Sequence, residues 1–263
     1  MNTDTRRQRD LTLALMLALT FSTGIVDAVG YLGLDKVFAG NMTGNVVVLG
    51  MALVGAEGLP WVGPLIALFA FMAGAVIGGR TLRRESTGWN TRTSWSFTAV
   101  AGALAVLTVT TLLTGGVPPK PWELAITTLL AAAMGFQSAV ARHLAVKDVT
   151  TVVVTSTLTG LAADSRLAGG SGQPWRRRAG AVALIALGAL VGAALLRVHI
   201  ALPLGLAAAI SGGAAILGHL AAHESREARE AREANESQEA RETNESRAAG
   251  DVSAQPPTAR PRG

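Results

Sequence analysis

The chain has 263 residues, of which 49% are hydrophobic, with a mean hydropathy of +0.37 and no cysteine. The missing cysteines exclude disulfides, thiolate metal sites and cysteine nucleophiles, while the hydrophobic share is that of a membrane protein. Net charge is +5 but segregated: residues 1–222 hold 16 Lys+Arg against 9 Asp+Glu, and residues 223–263 hold 7 against 9. The basic residues form short clusters between apolar runs, a pattern that marks membrane topology and argues against a nucleic-acid partner.

Residues 1–10 form a basic N-terminus with Arg6, Arg7 and Arg9. A first apolar run over 11–33 is interrupted by Asp27, and a shorter one over 37–55 carries Asn41, Thr43 and Asn45 among Gly40 and Gly44. Runs over 60–79 and 95–113 complete a first membrane repeat, residues 11–113. A second repeat, residues 122–220, contains runs over 122–144, 179–197 and 200–220 and a Thr-rich short segment over 149–163. Crossing a ~30 Å hydrocarbon core takes roughly 20 apolar residues as helix. Six runs meet that length, and the two short segments do not. The basic start followed by Leu11–Phe21 has the outline of a signal peptide, yet hydrophobicity resumes through Ile25–Leu34 and no small-x-small site precedes it.

Lys and Arg beside membrane helices mark the cytoplasmic side. With six crossings, 13 such residues lie inside (Arg6, Arg7, Arg9, Arg80, Arg83, Arg84, Arg92, Arg142, Lys147, Arg166, Arg176, Arg177, Arg178) and three outside (Lys36, Lys120, Arg197). With eight crossings the division is 8 against 8. The charge pattern therefore predicts six crossings, two non-crossing segments and both termini in the cytoplasm. Trp61, Trp95, Trp122 and Trp175 fall at segment ends, where interfacial anchors belong. Arg142, His143 and Lys147 end the fourth crossing and are expected to snorkel toward headgroups. Gly74, Gly78, Gly79, Gly188 and Gly192 are expected to be close-packing surfaces.

Gly135–Leu161 echoes Gly24–Gly50: Gly24 matches Gly135, Asp27 matches Ser138, and after one inserted residue Thr43-Gly44-Asn45 falls on Thr155-Ser156-Thr157. Three crossings per half force the second half to enter the membrane upside down, the inverted-repeat plan of many secondary transporters. Non-helical backbone in lipid is tolerated where protein buries it or a wet cavity is lined by it.

An aspartate deep in a membrane helix costs ~2.5 to 3.5 kcal/mol on insertion scales. Asp27 therefore has either a functional reading, a proton or cation relay, or a structural one, an acid fastening its helix to neighbours. Asn41, Thr43 and Asn45 divide the same way between a binding turn and interhelical hydrogen bonds. In the second half Gln137 and Ser138 flank the mirror of Asp27. Thr150, Thr151, Thr155, Ser156, Thr157 and Thr159 can satisfy helix carbonyls with their own hydroxyls. No phosphate loop, HExxH or hydrolase GxSxG is present. His143, His199, His219 and His223 show no metal-ligand pattern. The expectation is a protein without catalytic role, cofactor or metal.

From Glu224 to Glu245 glutamate recurs at every third residue with Arg226, Arg229 and Arg232 interleaved, a stripe that winds around a helix axis instead of forming one face. Pairs Arg226–Glu230 and Arg229–Glu233 can support a partial solvated helix; residues 223–263 are otherwise expected to be a disordered charged cytoplasmic tail.

The residues G-x-x-D-A-x-x-Y-L-x-L at 24–34, F-A-G-N-M-T-G-N at 38–45 and G-x-Q at 135–137 resemble the YoaK-like family of bacterial inner-membrane proteins, a domain of unknown function. The likeness covers roughly residues 10–220. The family's second motif looks like T-x-x-x-T-G-x-L-T; Thr151 and Thr155 fit it, but Ser156 stands where glycine is typical. The resemblance implies an integral membrane protein and no activity or cofactor.

The sequence thus predicts an all-α polytopic bundle of about six transmembrane helices in two inverted repeats, each with a short polar re-entrant or broken segment, residing in the cell inner membrane. The function expected is a small-solute or ion permease with Asp27, Asn41, Thr43, Asn45, Gln137, Ser138, Thr155 and Thr157 around a midplane site. Its partners would be the lipid bilayer, an unknown small solute or ion and possible further copies of itself. The alternative is a non-transporting scaffold or sensor whose polar residues only pin helices together.

Overall fold

The computed structural model describes residues 3–56, 58–85, 88–116, 119–144, 154–170 and 175–253. Most of these residues are helical, and no strand is found among them. The helices are α1 (Thr3–Ala28), α2 (Met42–Leu53), α3 (Val62–Leu82), α4 (Thr91–Leu113), α5 (Lys120–His143), α6 (Val154–Ala163), α7 (Trp175–Leu196) and α8 (Ala201–Ser253). Six stretches are long and apolar enough to cross a membrane: Arg7–Gly33, Val62–Leu82, Thr91–Leu113, Lys120–His143, Arg177–Leu196 and Ala201–Glu227. They fall on the six predicted runs, and α2 and α6 fall on the two short segments. Thr150, Thr151, Lys147 and the rest of 145–153 lie outside the described residues.

Local chemistry fixes several helix starts. The Asn90 side chain accepts from the Thr93 amide at 2.8 Å and caps α4, and that of Asn41 accepts from Gly44 at 3.3 Å and caps α2. Pro121 sits in the first turn of α5, where its missing N–H costs no helical bond. The Thr20 hydroxyl bonds the Met16 carbonyl and that of Thr111 the Leu107 carbonyl, each one turn back, so these two are carried in apolar surroundings without an orphaned donor, whereas the buried hydroxyls of Thr127 and Ser211 find no partner among the described residues.

After Ala28, α1 widens into a π turn, Val29–Gly33, and the chain doubles back on it. Lys36 takes a left-handed φ of 50° at the reversal, with its Nζ held on the Gly58 carbonyl at 2.8 Å. The Val37 amide then donates to the Gly30 carbonyl at 3.2 Å. This close approach requires glycine, since a Cβ at Gly30 would overlap the Val37 carbonyl. Residues 37–41 run back along α1 as far as Asp27, α2 follows, and the chain is again beside residues 35–37 by Gly58 and Gly63.

The closest packing joins α1 to α7 and α3 to α5. A Cβ at Gly24 would overlap the carbonyl of Ile185, one at Gly188 that of Phe21, and one at Gly192 would press on that of Ile25. Across α3 and α5, Gly135 faces the carbonyl of Phe71, Gly74 that of Ala132 and Gly78 that of Phe136 in the same manner. Such small-residue seams let membrane helices gain dispersion contact without a hydrophobic driving force. Of the predicted surfaces Gly79 is the exception, with open space where its Cβ would be. Gly33, just past α1, meets Leu196 at the end of α7 and Ile200 beyond it, and Leu82 at the end of α3 clusters with Val140, Ala141 and Leu144 at the end of α5, so each pair is parallel. By contrast α1 and α5 are antiparallel: Leu15, Met16 and Leu19 share one apolar cluster with Val140, Ala141 and Leu144, whereas Ile25, Val26 and Val29 share another with Ile126, Leu130 and Met134.

Residues 221–263 form a separate unit, helical as far as Ser253. In it Arg226 Nε meets Glu230 Oε1 at 2.9 Å, one of the two expected pairs; the Arg229 and Glu233 side chains lie outside the described ones.

Candidate functional site

The site begins with the reversal after α1. Asp27 ends the regular part of that helix, and the returning strand of chain presents backbone amides to it: the Gly40 amide donates to Asp27 Oδ1 at 2.6 Å. Amide donors solvate a carboxylate where water and counterions are scarce. Glycine is needed at position 40 because a Cβ there would press on the Thr23 methyl beside the carboxylate. Directly after this contact Asn41 caps α2, so the positive end of that half-length helix lies next to the acid.

A cavity of about 460 Å³ opens here, lined by Asp27, Tyr31, Phe38, Gly40, Asn41, Thr43, Gly44, Val47 and Val48 from the first half and by Val154, Thr155 and Ile185 from the second. Val154 and Thr155 are the first described residues of α6. Both short helices thus contribute to the wall of one cavity. Tyr31 and Phe38 stack across its edge with ring centroids 4.9 Å apart.

Four of the eight predicted site residues, Asp27, Asn41, Thr43 and Thr155, therefore meet at this cavity. The other four do not line it. Asn45 is buried with its amide turned inward: Oδ1 accepts from the Phe38 amide at 2.8 Å and Nδ2 donates to the Phe38 carbonyl at 2.6 Å, so it braces the reversal. Gln137 is 1% exposed and donates to Thr23 Oγ1 at 3.5 Å, while its Oε1 finds no partner among the described residues. Ser138 and Thr157 are half-buried elsewhere. Sequence reasoning passed over Tyr31 and Phe38. The signal for Tyr31 was there: it is the chain's one tyrosine, one turn after Asp27.

Six helices long and apolar enough to cross a membrane define an integral membrane protein of the α-helical class. The family described as a protein of unknown function, DUF1275, matches residues 15–217, and the chain belongs to it. A curated relative, the UPF0700 transmembrane protein YoaK of Bacillus subtilis (strain 168), is 32% identical over 154 residues, 58% of this chain and 66% of the relative. The chain thus spans just under two thirds of that relative's length. No solved structure matches it.

Proposed function

We propose that the protein is a permease for a small solute or ion, with its binding site in the cavity beside Asp27. One observation carries this reading: a cavity in which the carboxyl group of Asp27 meets residues of both short helices, Asn41, Thr43 and Gly44 at the start of α2 and Val154 and Thr155 of α6. Broken helices whose ends converge on a site between two repeats are the usual way a secondary transporter holds its substrate. The cavity is large enough for a few heavy atoms with their water, and its mixed lining suits a small polar solute.

The reading includes two inverted halves, each with one re-entrant segment. The seams support the inversion. Gly24, Phe21 and Ile25 of α1 map at one constant offset onto Gly135, Ala132 and Phe136 of α5, and their partners Ile185, Gly188 and Gly192 map at another onto Phe71, Gly74 and Gly78. Exchanging the halves thus exchanges the α1–α7 seam for the α5–α3 seam, contact for contact. Directions support it too. With α1 opposed to α5 and α3 parallel to α5, α1 and α3 run in opposite directions, which leaves no crossing for α2 between them. Its entry and exit beside residues 35–37 fit a loop that dips in and returns. Inner-membrane residence with both termini in the cytoplasm follows from the distribution of Lys and Arg, and no catalytic role is assigned.

The second reading, a scaffold or sensor, is favoured by the Asp27–Gly40 bond, which by itself explains a buried acid. Asp27→Asn separates the two. Asparagine keeps an oxygen for the Gly40 amide but loses the charge. In vesicles containing the purified protein and challenged with a panel of small solutes and cations, the permease reading expects wild-type flux and a fall of about tenfold or more in Asp27→Asn without loss of folded protein. Unchanged flux in that variant would remove the assignment.

A further inference from the structure

A second built feature lies far along the bundle from Asp27, where α3 ends and α4 begins. A cleft of about 440 Å³ is lined by Arg80, Thr81, Arg92, Trp95, Ser96 and Phe136, the last from α5. Over residues 80–92 the chain carries four arginines, Arg80, Arg83, Arg84 and Arg92, against the single acid Glu85. Arg92 is positioned by its neighbours: its Nε meets Glu85 Oε1 at 3.0 Å and its Nη1 donates to the Thr81 carbonyl at 3.5 Å. A guanidinium has five N–H donors, so this arrangement fixes the plane of the group and leaves donors over for another acceptor. Arg80 completes the same wall from the last turn of α3.

Trp95 stands 69% exposed at the start of the second turn of α4, at the edge of the apolar span. On its other side is a crevice of about 270 Å³ between α4 and α8, lined by Ser94, Thr98, Ala215, Ile216, His219 and Leu220 as well as Trp95 itself. A cationic cleft and a mainly apolar crevice therefore share one interfacial indole. This pairing has the shape of an amphiphile: an anionic phosphodiester fits the arginines, whose planar forks match it, and an acyl chain fits the crevice. A soluble protein or nucleic acid has no use for the apolar half, which lies between two membrane-length helices. Basic pockets between membrane helices at the bilayer surface are the recognised form of such sites.

We propose that Arg80 and Arg92, with Trp95, form a binding site for one anionic glycerophospholipid at the arginine-rich end of the bundle. The site is independent of the cavity beside Asp27 and of any transport.

The test uses the full-length protein in mixed micelles holding equal amounts of phosphatidylglycerol and phosphatidylcholine with the same acyl chains, and native mass spectrometry to count retained lipid. Wild type should retain phosphatidylglycerol in preference. Arg80→Gln should weaken that retention about fivefold, and Arg80→Gln with Arg92→Gln by about a further fivefold, the worth of one arginine at a membrane surface. Arg84→Gln, outside the cleft, should change nothing. Loss of Glu85 and Thr81 contacts could unfold the Arg92 variant, so a second measurement stands on Arg80→Gln alone. Phosphatidylglycerol brominated on its acyl chains should quench Trp95 fluorescence, identified by its absence in Trp95→Phe, more than the phosphatidylcholine analogue, and Arg80→Gln should abolish the difference. Equal retention of the two lipids, undiminished preference in Arg80→Gln, or displacement of the lipid by millimolar inorganic phosphate would overturn the proposal, the last by making this a free-anion site.

Discussion

Asp27 does two things with one side chain: it accepts the Gly40 amide and it presents a carboxyl group at the wall of the cavity. Asparagine preserves the first and deletes the second, whereas leucine deletes both, so Asp27→Leu should lose flux together with the folded reversal. That acid was legible in the sequence because a charge inside an apolar run has no cheap explanation. Asn45 was legible as an oddity but not in its role. Whether an amide faces a cavity or its own backbone depends on where the chain reverses, and nothing in the local pattern states that the Phe38 backbone would lie opposite. The seam glycines allow a sharper test at this scale. Gly24→Leu forces a side chain into the Ile185 backbone, which cannot yield as a side-chain tip would, and should destabilise the purified protein by about 3 kcal/mol or more in detergent unfolding. Gly79→Leu enters open space and should stay within about 0.5 kcal/mol of wild type.

The six long helices could be read from hydropathy alone, because twenty apolar residues in succession leave a chain few other places to be. Their ends were legible to within a few residues, α4 starting at its Asn90 cap and not at Trp95, except that α1 already begins at Thr3 and α8 continues past the predicted run 200–220 to Ser253. The π turn over Val29–Gly33 was not legible, since it exists to let the following chain return along α1. Nor was the choice of partner: glycine spacing announces a close surface but not which helix meets it. The two short helices are the elements on which the site depends. Cysteines substituted for Thr43 and Thr155, on a chain that naturally has none, should join in high yield through a short bifunctional thiol reagent, because both residues line the same cavity. A pair at Thr43 and Gly79 should not. Failure of the first pair in folded protein would separate α2 from α6 and dissolve the shared site.

At the level of the whole chain, two lines of reasoning converge. The distribution of Lys and Arg favours six crossings, and the helix directions within the bundle support the proposal that α2 does not cross. Neither uses the other's data. The proposed repeat is faint in sequence because the residues that would carry it are the seam glycines and their carbonyl partners, and carbonyls have no side-chain signature; Asp27 in one half stands opposite Ser138 in the other. The measurement that tests this account most directly is accessibility labelling of single cysteines introduced at Lys36, Gly88, Pro118 and Asp148 in intact cells, with a thiol reagent that does not cross the membrane. Labelling from outside at positions 36 and 118, with positions 88 and 148 reached only after the membrane is opened, is the predicted result. Position 88 labelled in intact cells would mean that α2 crosses, and the inverted halves with their common cavity would be lost.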